Sequence, residues 1–174
     1  MVLRRFILPF LVLIVFISES TFAQLVSISF LGEDYLYIPR FLLVFVIFIT
    51  VYLNRTQGML FGLIFGFLYD VVYIEVIGIY LLAYAFLAYL VSKAMKVLHQ
   101  HVLIVIFLST LAIAILEFYV YGVNYAIGAT DMSLYDFTTK RLLTTLGLNI
   151  VFALLFIFPL KSFLTKLKKA ESED

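Results

Sequence analysis

The sequence lacks cysteine altogether and has few charged residues, which make up 13% of its 174 positions. Without thiols the chain forms no disulfide, no thiolate metal site and no cysteine nucleophile. The net charge is +1, and the basic residues stand in short, scattered groups rather than on one basic face. We therefore expect no nucleic-acid partner.

Familiar catalytic patterns are also missing from the sequence. No GxSxG, HExxH, Walker A or GxGxxG motif occurs, and these motifs place the nucleophiles, metal ligands and phosphate-binding loops of many enzymes. His99 and His101 have no cysteine or nearby carboxylate to complete a metal site. We predict a protein that is not an enzyme and has no cofactor or metal.

Apolar residues dominate what is present. They make up 65% of the chain, and the mean hydropathy is +1.16. A soluble domain of this length could not bury so much apolar surface. We therefore predict one polytopic membrane domain over residues 1–174, with the lipid bilayer as its surroundings.

Apolar runs of nearly membrane-spanning length recur along the chain. About 20 residues cross a hydrocarbon layer of about 30 Å, and backbone polar groups in lipid must pair within helices. The pattern predicts six transmembrane helices at about 6–27, 38–54, 58–74, 78–98, 102–122 and 139–165. The fold class is an all-α integral membrane protein. Its weakest boundary lies between helices three and four, at "YDVVYIEVIG".

The distribution of lysine and arginine predicts the orientation. Loops rich in these residues stay in the cytoplasm. With both termini cytoplasmic, nine bases lie inside and three outside. The outer three are Arg40, Lys140 and Arg141, and the inner nine are Arg4, Arg5, Arg55, Lys93, Lys96, Lys161, Lys166, Lys168 and Lys169. Many tyrosines, Tyr69 and Tyr80 among them, fall near the predicted outer ends, where amphipathic rings suit the head-group region.

The N-terminal segment has a second interpretation. Its basic start, apolar centre and small residues up to Ala23 also fit a cleavable secretory signal. Pro9 early in the apolar stretch, and Glu19 just before the cleavage point, favour a retained first helix.

The stretch "QGMLFGLIFGFLYD" places Gly58, Gly62 and Gly66 four residues apart. Residues at this spacing share one helix face, where glycines let another helix approach closely. One interpretation is internal packing against a small-residue row on helix four, formed by Gly78, Ala85 and Ser92. The other is docking of a separate transmembrane helix. The sequence leaves the oligomeric state open.

Polar residues gather at one predicted depth near the outer surface. They comprise the acids Glu19, Asp70 and Glu117 and the bases Arg40, Lys140 and Arg141. A charge inside the membrane is costly unless it pairs or reaches water. We expect Asp70 to pair with one of the three bases. The cluster fits an ion-pair network that fixes helix register, or a proton relay or a site for a cationic ligand. Asn149 is expected to face a neighbouring helix.

The chain resembles the rod shape-determining protein MreD family over nearly its whole length. The resemblance rests on "RFILPFLVLIVFISES", "PRFLLVFVIF", "GLIFGFLYD" followed by "GIYLLAYAFLAYLVSKAMKVLH", "LEFYVYG" and "LNIVFALLFIFPLK". It places Gly66 and Asp70 in the most recognisable block of the family, and Glu117 and Asn149 in later blocks, without a catalytic role.

The resemblance implies a multi-pass plasma-membrane protein of the bacterial cell-elongation machinery. Its implied partners are the bitopic protein MreC, MreB filaments beneath the membrane and wall-elongation enzymes. A scaffold that holds the transmembrane helix of MreC is therefore the first functional hypothesis. The alternative is the substrate-binding subunit of an energy-coupling small-molecule transporter, for which Glu19, Asp70 and Glu117 would line a polar pocket.

Overall fold

A computed structural model describes residues 2–27, 35–74, 77–98 and 101–172, and the side chains of most of them. In these ranges the chain is helical apart from its connecting segments. The elements are α1 (Val2–Ser27), α2 (Phe41–Tyr52), α3 (Arg55–Tyr73), α4 (Ile79–Ala94), α5 (Val102–Ala126), the short α6 (Leu134–Asp136), a π-helical segment (Phe137–Leu142) and α7 (Leu143–Ser172).

Helix α2 lies at the centre of the molecule. All 12 of its residues are buried, and it packs against α1, α3, α4, α5 and α7. Its sequence "FLLVFVIFITVY" is apolar on nearly every side, as expected for a helix surrounded by protein. At 1.5 Å per residue it is about 18 Å long, shorter than the hydrocarbon layer.

Within the described residues, four segments are long and apolar enough to cross a membrane. They are Phe6–Leu25, Arg55–Tyr73, Val102–Ala126 and Leu134–Glu171, whereas Phe41–Tyr52 and Ile79–Ala94 are shorter apolar helices. The predicted all-α membrane class is confirmed. The six predicted spans correspond to four helices of spanning length and two shorter ones, because α2 begins only after Arg40 and α4 is confined to residues 79–94.

The connection between α3 and α4 is short, and its last two residues, 77 and 78, form a turn. Helix α3 ends at Tyr73, and Gly78 precedes α4 with φ +113°, a left-handed conformation that glycine adopts without strain. Glu75, on the weakly predicted boundary, lies outside the described residues, as does His99. His101 directly precedes α5.

The glycine face of α3 is covered by α2 and α4. A Cβ atom on Gly66 would lie 2.5 Å from the carbonyl oxygen of Tyr80, and one on Gly62 would lie 3.2 Å from the backbone nitrogen of Ala85. A Cβ on Gly58 would overlap Thr50 of α2. The glycines therefore serve packing within the chain.

The hypothesis that this glycine face docks a separate helix is wrong, because neighbouring helices of the same chain occupy it. The row of small residues predicted on α4 to pack against these glycines also needs correction. Ala85 contacts Gly62 and Ser92 is buried, but Gly78 precedes α4 as a turn residue, and a Cβ there would meet nothing within 4 Å.

Candidate functional site

Arg40 is the centre of a buried polar network at the start of α2. Only 2% of the residue is exposed. Its Nε donates to Glu117 Oε1 at 2.7 Å, and its Nη2 lies 2.6 Å from the same oxygen. Nη1 and Nη2 also donate to the hydroxyls of Tyr69 (3.0 Å) and Tyr80 (2.9 Å). The guanidinium is thus held by partners on α3, α4 and α5.

Glu117 binds a second arginine through its other oxygen. Arg141, in the π-helical segment, donates from Nε to Glu117 Oε2 at 3.0 Å, and its Nη2 lies 2.9 Å away. Glu117 is fully buried. Charge-assisted hydrogen bonds on both oxygens offset the cost of removing this carboxylate from water. One side chain of α5 therefore connects the start of α2 with the segment that leads into α7.

Asp70 has a different role from the predicted one. Its two oxygens accept hydrogen bonds from the backbone N–H groups of Gly78 (2.9 Å), Tyr80 (2.8 Å) and Leu81 (3.0 Å). The first N–H groups of a helix lack partners within the helix and carry partial positive charge. Asp70 therefore satisfies the N-terminus of α4 from the preceding helix.

The expected pairing of Asp70 with a base is wrong. Glu117 is the acid that pairs with Arg40 and Arg141, and Lys140 pairs with Asp136 at 2.9 Å on the surface. The backbone donors of α4 follow Asp70 closely in sequence, so the turn brings them to its carboxylate.

Glu19 binds a backbone N–H group at the start of α2, as Asp70 does at the start of α4. Its Oε2 accepts from the backbone N–H of Leu42 at 2.8 Å. Its Oε1 is buried and has no hydrogen-bond partner among the described residues. Glu19 also borders a cleft of about 590 Å³ that Tyr69 and Tyr73 of α3 help to line.

Asn149 attaches the extended segment before α2 to α7. Its Oδ1 accepts from the backbone N–H of Arg40 at 2.8 Å, and its Nδ2 donates to the carbonyl oxygens of Ile38 (2.9 Å) and Thr145 (2.8 Å). The Thr145 hydroxyl in turn accepts from the backbone N–H of Ile38 at 3.3 Å. Asn149 therefore faces this segment rather than the side of a regular helix.

The structure thus brings together Glu19, Arg40, Glu117, Arg141 and Asn149, joins Asp70 to them through Tyr80, and leaves Lys140 apart at the surface. The sequence does not identify Tyr69 and Tyr80 as partners of the network, because tyrosine rings near helix ends are expected at the membrane surface. Tyr80 is buried, and the two rings stack at 4.4 Å beside the guanidinium of Arg40. Their spacing within apolar helices does not distinguish a ring in the protein interior from a ring at the membrane surface.

Most groups of this network serve to join helices. Within the described residues, no cluster of three or more histidines and carboxylates is placed to hold a metal ion. The fold and the network define a multi-pass helical membrane protein whose polar interior fixes the positions of its helices.

The chain belongs to the rod shape-determining protein MreD family. The family model, described as rod shape-determining protein MreD, matches residues 4–167. The rod shape-determining protein MreD of Bacillus subtilis (strain 168) is 41% identical over 167 residues, which cover 96% of this chain and 97% of that protein. No solved structure matches the chain. The resemblance seen in the sequence is confirmed, and membership supports a role in determining rod shape.

Proposed function

We propose that this protein is a noncatalytic scaffold of the cell-elongation machinery in the bacterial plasma membrane. The observation that carries the proposal is the buried contact of Glu117 with Arg40 and Arg141, together with the hydrogen bonds of Asp70 to α4. Both acids hold helices in place. Such an interior suits a rigid platform on which other membrane proteins assemble.

The proposed partners are MreC within the membrane and, through the same complex, MreB filaments and wall-elongation enzymes. Because α2 and α4 cover the glycines of α3, the transmembrane helix of MreC must contact another face of the protein. Both termini are proposed to lie in the cytoplasm. The lysine-bearing end of α7 then lies on the side of the filaments.

The transporter alternative has less support from the geometry. It needs a polar pocket lined by Glu19, Asp70 and Glu117. Asp70 and Glu117 are bound to the backbone and to arginines, and only Glu19 borders the cleft beside Tyr69 and Tyr73.

Mass spectrometry of proteins that copurify with the tagged full-length chain, extracted gently from its native membrane, tests the proposal. Recovery of MreC with wall-elongation proteins is the expected result. A tagged, unrelated multi-pass protein expressed at the same level is the control for nonspecific capture. Recovery of ATPase subunits with a coupling membrane protein, and no MreC, would contradict the scaffold and favour the transporter.

A further inference from the structure

The last part of α7 has a groove along one face. The groove has a volume of about 390 Å³ and is lined by Phe158, Lys161, Ser162, Thr165, Lys166 and Lys169. Ser162 and Thr165 are short and exposed, and longer side chains flank them. The groove therefore presents the Ser162 hydroxyl among lysine ammonium groups, while the Thr165 hydroxyl donates to the carbonyl oxygen of Lys161 at 2.6 Å.

Lys161 and Lys166 give the groove a positive charge that no described carboxylate neutralises. Neither residue forms a salt bridge with any carboxylate in the described part of the chain. Lys161 is positioned instead by the ring of Tyr52, whose centroid lies 5.6 Å from its Nζ. Glu171, further along α7, lies near the amide of Gln57 at 3.4 Å. A phosphate group would neutralise the two lysines and accept from the Ser162 hydroxyl.

The same helix face continues as an apolar surface towards the middle of α7. Val151, Leu155 and Phe158 recur at spacings of four and three residues, and all three are strongly exposed, Phe158 by 68%. Residues at this spacing lie in line on a helix. Ser162 and Thr165 extend this line, so one face of α7 passes from an apolar half to a basic half.

An apolar half next to a basic half suits a phospholipid, because its acyl chains are apolar and its phosphate is anionic. The segment Leu134–Glu171 is long and apolar enough to cross a membrane, and the lysines follow its apolar part, as basic side chains do when they reach from a transmembrane helix to the head groups. A soluble phosphate compound would use only the basic half of the face.

We propose that this face of α7 is a binding site for an anionic phospholipid. Its phosphate binds between Lys161 and Lys166 over Ser162, and an acyl chain lies along Val151, Leu155 and Phe158. The site anchors α7 to the leaflet in which its lysines lie. It is independent of the proposed scaffold function.

Native mass spectrometry of the delipidated full-length protein tests the site. Phosphatidylglycerol and phosphatidylcholine with identical acyl chains are titrated separately, and phosphatidylglycerol is expected to bind more tightly. A lysine near an anionic lipid contributes to the binding free energy. Lys161→Gln and Lys166→Gln are therefore each expected to weaken phosphatidylglycerol binding about fivefold. The double variant is expected to weaken it roughly 30-fold.

Lys168→Gln is the matched control, because Lys168 is exposed on α7 but does not line the groove. It removes the same charge and is expected to leave phosphatidylglycerol binding within about twofold of wild type. Equal weakening by Lys168→Gln and Lys166→Gln would overturn the localised site. So would equal binding of the two lipids.

Two further measurements identify the source of the phosphate. Phe158→Ser is expected to weaken the binding of phosphatidylglycerol through loss of acyl contact. Inorganic phosphate at millimolar concentration is expected to leave the bound lipid in place. Displacement of the lipid by phosphate at that concentration would overturn the lipid assignment in favour of a free anion.

Discussion

Glu117 shows how a single residue organises this interior. Its two oxygens bind Arg40 and Arg141, which are 77 and 24 residues away in sequence. Removing one member of a buried ionic network leaves the remaining charges without compensation, and this costs more than the network itself contributes to stability. Arg40 and Arg141 therefore depend on Glu117 to compensate their charges.

Glu117→Gln is expected to destabilise the protein strongly. Glutamine keeps the size of the side chain but not the charge, so two arginines lose their only carboxylate partner among the described residues. Loss of one partner from a buried ion pair costs about 3–5 kcal/mol. Unfolding in detergent micelles, followed by circular dichroism, measures the effect.

Asp136→Asn is the control for that experiment. It also removes an acid that pairs with a base, but Asp136 and Lys140 lie at the surface, where solvent screens the interaction. We expect its unfolding curve to match that of the wild type. If Glu117→Gln unfolded like Asp136→Asn, the network would not stabilise the fold.

Glu19 and Asp70 explain, also at the level of single residues, why two helices start inside the protein. An unpaired backbone N–H costs several kcal/mol in a medium without water. Each acid supplies oxygens to such groups, Glu19 at Leu42 of α2 and Asp70 at Tyr80 of α4. A carboxylate at membrane depth is thus stabilised by a helix N-terminus as well as by a base.

At the scale of elements, the contact between α3 and α4 depends on the glycines of α3. The backbone of α4 at Tyr80 and Leu81 lies where a side chain at position 66 would begin. Backbone atoms cannot rotate away as a side chain does. A larger residue must therefore push the two helices apart or distort one of them.

Gly66→Ala is expected to destabilise the protein by about 1–3 kcal/mol, the usual cost of extra atoms in a packed interior. Gly147→Ala is the matched control, because a Cβ there meets nothing within 4 Å. Alanine favours a helix over glycine by up to about 1 kcal/mol, so this variant should be as stable as wild type or more so. Thermal unfolding of both variants in the same detergent gives the comparison. Equal stability of the two would show that α4 does not approach α3 as closely as described.

At the scale of the whole molecule, the network bears on the orientation in the membrane. Arg40 and Arg141 are two of the three bases on the predicted outer side, but both pair with the buried Glu117. Lys140 is then the one base of that set at the surface, paired with Asp136. The excess of inner over outer bases, which predicts cytoplasmic termini, becomes larger when these two arginines are left out of the count.

Single cysteines test this orientation cleanly, because the chain has none of its own. Ala129 lies between α5 and α6, and Val97 follows α4; both are exposed. A membrane-impermeant maleimide applied to intact protoplasts is expected to label Ala129→Cys. Val97→Cys should react only after permeabilisation. The cysteine-free chain is the blank, and the reverse pattern of labelling would place the termini outside.

The sequence by itself determined the membrane class, the family, the presence of helices at α1, α2, α3, α4, α5 and α7, and the close packing along Gly58, Gly62 and Gly66. Hydropathy and residue spacing are local properties, so they are readable without coordinates. The start of α5 at Val102, for example, agrees with the predicted start of the fifth helix.

Only the tertiary structure decided which polar groups meet. Glu117 and Asp70 look alike in sequence, since each is an acid within an apolar helix, yet one binds arginines and the other binds the backbone of α4. Which partner an acid reaches depends on how the helices are rotated and how deep they lie, and these follow from packing of the whole chain around α2. The same packing turned Tyr80 inward and closed the glycine face of α3.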